Sequence, residues 1–363
     1  MNAAQRLHEA GQSLWLDNIT RELLTSGQMA GYIADAAVTG LTSNPTIFDK
    51  AITAGDDYDA QVRQLAEKGL DPEALFFELA VDDLRTAAAL FKPAWESTGG
   101  FDGWVSLEVS PRLAHDTDKT VAEAKALHQK AETPNLFIKV PGNQEGLPAI
   151  EELIFQGVPV NITLLFSAEQ YIATASAYQR GLERRRVAGK NLDVPSVASL
   201  FVSRWDHATL DRVPADLKDE LGIAVAKQTY RSYCDLLASD QWKKLVADGA
   251  RTQRLLFAST GTKDPAKPDT YYIEALAAPD TINTIPQATL DAFVDHGQVG
   301  GFLPGDGGDA DEVIARIGEA GINVSKLAAT LQSDGTAAFV KSWEDLLKSI
   351  ESKTAALSGG ARG

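Results

Sequence analysis

The 363-residue chain is 44% hydrophobic and 23% charged, with 50 acidic against 34 basic residues and a formal net charge of −16. These are the proportions of a globular protein. Such acidity argues against a nucleic-acid partner, whose phosphates need many Lys and Arg, but leaves room for a small anion held by a few inward-facing cations.

No apolar run approaches bilayer-spanning length, so no membrane partner is expected. The single cysteine, Cys234, excludes an intrachain disulfide framework. The N-terminal segment has neither the basic start nor the apolar centre of a secretory signal, and a cytoplasmic protein is expected. Strand-like runs follow one another at 13–19 (SLWLDNI), 37–43 (AVTGLTS), 104–110 (WVSLEVS) and 135–140 (NLFIKV). Four more follow at 158–166 (VPVNITLLF), 196–203 (SVASLFVS), 254–260 (RLLFAST) and 281–285 (TINTI). Helical patterns separate them, two with clear start signals: Asp71-Pro72, and Ser167 with Gln170 three residues on. Alternating strands and helices imply parallel pairing with right-handed crossovers. Eight such units point to an α/β fold, a closed (β/α)8 TIM barrel, rather than an open doubly wound sheet.

Two helical patterns, YDAQVRQLAEKG and PEALFFELAVDDLRTAAALF, fill the long gap after the second strand. Further helices are expected at 310–319 and 335–351. Residues 1–352 read as one barrel domain with these added helices, and 353–363 as a disordered tail. The basic run Glu183-Arg184-Arg185-Arg186 reads as a solvated helix end, and the GDGGDAD segment at 305–311 as a flexible acidic loop. His128 and His207 are expected on helices near the surface. The histidines show no HxH or HExxH spacing, so no metal site is expected.

Side chains at the carboxyl ends of parallel barrel strands converge on one pocket. Here those ends carry Asp17 and Asn18, Asn44, Glu108, Lys139, Asn161 and Thr163, then Ser199, Ser203 and Arg204, and finally Ser259 and Thr260. Each has an ordinary reading alone: a helix cap for Asp17 and Asn18, turn chemistry for Asn44-Pro45, strand propensity for Thr163, an Arg112 ion pair for Glu108, a snorkelling strand-end lysine for Lys139. Together, a lysine, two acids and two amides aimed at one place suit Schiff-base chemistry. Burial weakens a lysine's hold on its proton, and the neutral amine attacks a ketone. The resulting iminium is an electron sink for cleavage of the adjacent carbon–carbon bond without metal or vitamin cofactor. Carboxylates then move the protons, and amides and hydroxyls hold the substrate hydroxyls.

At this point the chain resembles the transaldolases. GLTSNPTIF at 40–48 matches their first signature, and IKVPGNQEGLPAI at 138–150 is similar to the segment around their Schiff-base lysine. NITLLFS at 161–167, ASLFVSR at 198–204 and LQSDGTAAFVKSWEDLL near the C-terminus are also family-like. Asn143 departs from the usual Ser or Thr. The resemblance implies Lys139 as the Schiff-base lysine, Asp17 as the acid–base at the hydroxyl next to the bond cleaved, and Glu108 acting through a water held by Thr163. It implies that Asn44, Asn161 and Ser199 bind the dihydroxyacetone unit, that Phe201 helps hold the catalytic water and that Arg204 binds phosphate. Lys263, in the stretch Ala258–Lys263 where relatives carry Ser-aromatic-Arg, is the expected second phosphate cation.

The implied reaction moves a dihydroxyacetone unit from sedoheptulose 7-phosphate to glyceraldehyde 3-phosphate, in the non-oxidative pentose phosphate pathway. It gives erythrose 4-phosphate and fructose 6-phosphate, with no cofactor, in a monomer or homodimer. The alternatives are a fructose 6-phosphate aldolase-like lyase, sharing barrel and lysine, and a catalytically inactive sugar-phosphate-binding barrel.

Overall fold

The computed structural model describes residues 1–262, 264 and 266–359. Eight parallel strands close in sequence order: β1 (Ser13–Asp17), β2 (Val38–Thr42), β3 (Trp104–Glu108), β4 (Leu136–Pro141), β5 (Val160–Leu165), β6 (Ser196–Phe201), β7 (Gln253–Ala258) and β8 (Ile282–Ile285). Each pairs with its neighbours in parallel, and β8 returns to β1. This is the (β/α)8 barrel expected from the alternation of strands and helices. Among the described residues no helix is long and apolar enough to cross a membrane.

Alternate residues of a strand point to the same side, so each strand divides into two sets. In β1 one set is Ser13, Trp15 and Asp17; in β3 it is Trp104, Ser106 and Glu108; in β4 it includes Phe137 and Lys139. The lower members form a plug. Trp104 stacks on Phe137 with centroids 4.2 Å apart, and Trp15 lies 6.2 Å from Phe137. Trp15 fits because its register partner on β2 is Gly40. A Cβ at Gly40 would stand 2.6 Å from the Trp104 carbonyl oxygen and 2.7 Å from the Trp15 indole nitrogen. Gly40→Ala is therefore expected to destabilise the fold by about 1–3 kcal/mol through overpacking. Urea unfolding checks this; an unchanged midpoint would show that the plug has slack.

Beneath the plug, Asp102 accepts hydrogen bonds from Ser13, Trp15 and Thr39. Arg254, 3.9 Å from Asp102, donates to Ser13 Oγ and the Thr281 carbonyl. The upper members of the same sets are polar and face the opposite mouth.

Three helices, not two, lie between β2 and β3: Pro45–Thr53, Asp59–Glu67 and Pro72–Ser97. The first begins at Asn44-Pro45, a dipeptide that also suits a turn. Here Asn44 is an N-cap, accepting from the Ile47 N–H at 3.0 Å, and Pro45 sits in the first turn, where its missing N–H costs nothing. The Asp71-Pro72 start holds in the same way. Ser167 caps its helix by accepting from the Gln170 N–H, while the Gln170 side chain reaches back to the Phe166 N–H.

The C-terminal helix runs unbroken from Val324 to Gly359. It starts well before residue 335, and residues 353–359, expected as disordered tail, are its last turns. The dock is aromatic: Trp343 lies 5.0 Å from Phe76 and 5.5 Å from Phe77, and Phe76 lies 5.2 Å from Phe48. Near the helix end Lys353 donates to the carbonyls of Ile52 and Gly55 and pairs with Asp59 at 2.7 Å. Those anchors hold the last turns in place and offset the weak local propensity of the tail.

Arg185, read as part of a solvated cluster, is buried. Its guanidinium donates to the Phe155 carbonyl at 2.9 Å and the Asn191 carbonyl at 2.6 Å, closing the end of a neighbouring helix. The acidic loop at 305–311 is tied to the helix Leu221–Ala238 by Lys227–Asp309 and Arg231–Asp311 pairs.

Candidate active site

At the carboxyl ends of the strands lies a cavity of about 310 Å³. Asp17 and Thr42 from β1 and β2, Lys139 from β4, Thr163 from β5, and Ser199 and Phe201 from β6 line it. Asn44, Arg204, Ala258, Ser259 and Thr284 add to the wall, as do Thr46, Ile47 and Lys50 from the helix that follows Asn44. The C-terminal helix adds Ala338, Phe339 and Ser342.

Register sets the neighbours. Glu108 is the partner of Lys139 across β3 and β4, and Lys139 is the partner of Asn161 across β4 and β5. Lys139 is buried, its Nζ 3.2 Å from Glu108 Oε2 and donating to the Ser43 carbonyl at 2.9 Å. The ring of Phe339 lies 5.8 Å above the ammonium. The Arg112 partner considered for Glu108 is elsewhere: Arg112 faces Glu73 at 3.6 Å. Burial raises the pKa of Glu108, opposed by the charge and hydrogen bond of Lys139, with nearby Asp17 adding to the rise.

Asp17 is raised in the same direction by burial, opposed by Lys139 and by the Thr42 hydrogen bond. Thr42 Oγ1 donates to Asp17 at 2.8 Å and lies 2.6 Å from Thr284 Oγ1. Neither Asp17 nor Asn18 caps the following helix, whose N-cap is Thr20. Two carboxylates and one ammonium thus share a water-poor pocket, an arrangement typical of sites that move protons.

Asn161 sits one layer below the cavity. Its Oδ1 accepts from Ser199 Oγ at 2.7 Å, and its Nδ2 donates to Ser106 Oγ at 3.1 Å. The chain of donors fixes which way the amide faces. Thr163 Oγ1 is enclosed and without a hydrogen-bond partner among the described residues, which is more than strand propensity requires. Arg204 lies over Phe201, 5.1 Å from guanidinium to ring centroid, and burial lowers its pKa. It has no carboxylate partner among the described residues.

Comparison with known proteins then decides the family. The family model described as Transaldolase/Fructose-6-phosphate aldolase matches residues 14–350. The chain is 45% identical over 361 residues to a transaldolase of Thermobifida fusca (strain YX), covering 97% of this chain and 98% of that protein. It is 44% identical to a transaldolase of Saccharopolyspora erythraea, with 95% and 96% covered. A transaldolase of Mycobacterium tuberculosis is 42% identical, with 94% of each chain covered. The chain belongs to the transaldolase/fructose-6-phosphate aldolase family.

Within this family barrel, Asp17, Asn44, Lys139, Thr163, Ser199, Phe201 and Arg204 meet at one cavity, with Glu108 and Asn161 directly behind it. Lys263 lies outside the described residues. Asn143, the departure within the lysine motif, has a local role: its Nδ2 donates to the Ala114 carbonyl at 2.8 Å and its Oδ1 accepts from the Gly146 N–H at 3.0 Å. Ser203 is not among the residues lining the cavity but exchanges a 2.9 Å hydrogen bond with Ser259, which is. His207 is exposed and His128 half-buried, both on helices.

Sequence reasoning missed Thr42, Ser106 and Thr284, which orient the acid and the amide. For Thr42 and Ser106 the signal was strand parity, since they share it with Asn44 and Glu108; no candidate on β8 pointed to Thr284. It also missed Phe339, whose helix reaches the site only through tertiary docking.

Proposed function

We propose that this protein is a transaldolase, carrying a dihydroxyacetone unit on Lys139 between sugar phosphates. The supporting observation is the buried Lys139–Glu108 pair, 3.2 Å apart, with Lys139 lining a cavity also lined by Asp17 and by Arg204, which has no carboxylate partner among the described residues. Glu108 takes the proton of the Lys139 ammonium, and the free amine adds to the C2 ketone of the donor. The carbinolamine loses water with proton transfer through Glu108 and a water held by Thr163, leaving a protonated imine. Asp17 removes the C4 hydroxyl proton, the C3–C4 bond breaks, and its electron pair enters the imine as an enamine. The aldehyde leaves; an acceptor aldehyde enters and the steps reverse.

Asn44, whose Oδ1 serves the helix cap, keeps its Nδ2 for a substrate hydroxyl. Ser199, oriented by Asn161 behind it, holds another hydroxyl of the three-carbon unit, Phe201 shields the water, and Arg204 binds phosphate. Sedoheptulose 7-phosphate is the donor and glyceraldehyde 3-phosphate the acceptor.

The lyase reading shares every group up to the enamine and differs only in its fate. Relatives named transaldolase across nearly the whole length favour transfer. Incubation with fructose 6-phosphate, with and without erythrose 4-phosphate, tests it. Sedoheptulose 7-phosphate should form with the acceptor, and free dihydroxyacetone should stay near the level of a single turnover without it. Steady dihydroxyacetone release would overturn the transferase assignment.

A further inference from the structure

A phosphate monoester carries close to two negative charges near neutral pH. The cavity offers three cations, Lys50, Lys139 and Arg204, against one lining carboxylate, Asp17. Lys139 is committed to Glu108. Arg204 and Lys50 each lack a carboxylate partner among the described residues, in a chain whose acids outnumber its bases. Other lysines and arginines also lack an ion pair, but among the described residues Lys50 and Arg204 are the two of these that line this cavity, in a chain of net charge −16.

Lys50 belongs to the helix Pro45–Thr53 that Asn44 caps. Thr46 and Lys50 are four residues apart and Ile47 three from Lys50, so all three share the face that lines the cavity. The C-terminal helix fixes that face opposite Arg204. Ser342 accepts from Thr46 Oγ1 at 3.0 Å, and two turns earlier a Cβ on Gly335 would stand 3.3 Å from an Arg204 guanidinium nitrogen. The helix therefore bridges the two cations along one edge of the mouth, and glycine at 335 leaves the guanidinium room.

We propose that the Lys50 ammonium is a phosphate-binding group of this site, acting with Arg204 from the opposite wall and setting the preference for phosphorylated acceptors. The assignment rests on the transaldolase reading and adds a residue that lies on a helix rather than at a strand end. A flexible lysine suits the position, because the phosphate is a point-like anion carried on chains of different length.

The test compares the unmodified protein, Lys50→Ala and Lys50→Arg, with sedoheptulose 7-phosphate as saturating donor. The acceptors are glyceraldehyde 3-phosphate and unphosphorylated D-glyceraldehyde. Lys50→Ala should lower the ratio of kcat/KM for the phosphorylated over the neutral acceptor by about 10–100-fold, the scale of one charge-assisted contact. Lys50→Arg should retain most of the ratio. An unchanged ratio in Lys50→Ala overturns the proposal.

Calorimetric titration with inorganic phosphate reads the same contact without turnover and should show weaker binding by Lys50→Ala. If the unmodified protein transfers nothing, the transaldolase reading falls, and the phosphate titration still decides the role of Lys50. Equal phosphate affinity in the unmodified protein and Lys50→Ala counts against it.

Discussion

Lys139→Ala is expected to lower transfer by about 10⁴-fold or more, the scale of removing a covalent nucleophile, and to leave the barrel folded. Turnover within an order of magnitude of the unmodified protein would show that the lysine is not the carrier. The same variant has a signature in stability. Glu108 and Asp17 are held above their ordinary carboxylate values by burial, and Lys139 is the cation that opposes the rise. A carboxyl with a raised folded pKa supports the fold below its unfolded value, and that support is lost as pH rises through the folded one. Without Lys139 the folded values climb further. The urea midpoint of Lys139→Ala should therefore fall more steeply than that of the unmodified protein as pH rises above the ordinary carboxylate range. Parallel pH profiles would mean that the lysine charge is not what holds the two acids.

Glu108→Gln and Asp17→Asn should fail at different steps, which separates the two carboxylates more sharply than their rates. Glu108 sits 3.2 Å from the amine, where protons move during imine formation. Its replacement by an amide is expected to slow imine trapping by about 10²–10⁴-fold, the usual range for a positioned acid–base group. Asp17 is aimed at the other side of the cavity by Thr42 and Thr284. Asp17→Asn should form the imine and stall before the carbon–carbon bond breaks. Borohydride reduction with fructose 6-phosphate would then capture the intact six-carbon phosphate on the lysine rather than a three-carbon unit. A three-carbon adduct in Asp17→Asn, or unimpaired trapping in Glu108→Gln, would reverse the assignments.

Most of the eight strands were legible as apolar runs with polar residues near their carboxyl ends, the pattern of parallel barrel strands. The chemistry was legible for the same reason: a lysine at the end of NLFIKV has little to recommend it except a pocket. Residues whose role depends on parity were harder. Thr42 and Thr284 read as strand formers, and only the closed barrel brings the first and last strands together so that Thr284 can touch Thr42.

Helix ends misled where one signal has two uses. Asn44-Pro45 is a turn dipeptide as well as a cap followed by the first helical turn. The C-terminal helix is expected only from 335, yet Gly335 lies inside the helix Val324–Gly359, at a position where a side chain would press on Leu164 and Arg204. Arg185 and the last turns of the C-terminal helix owe their order to partners far away in sequence, Phe155 for the first and Ile52 and Asp59 for the second. No local pattern encodes those contacts. The same holds for Lys50 and Phe339, which reach the cavity on helices whose docking is settled by the aromatic cluster around Trp343.

The central claim is that Lys139 carries the substrate carbon skeleton, and one measurement bears on it directly. The protein is reduced with borohydride in the presence of fructose 6-phosphate, and the adduct is located by peptide mass spectrometry. The account predicts a reduced three-carbon dihydroxyacetone adduct on the peptide containing NLFIKVPGN, at Lys139. A folded sample with no adduct, or with the adduct on another lysine, would contradict it.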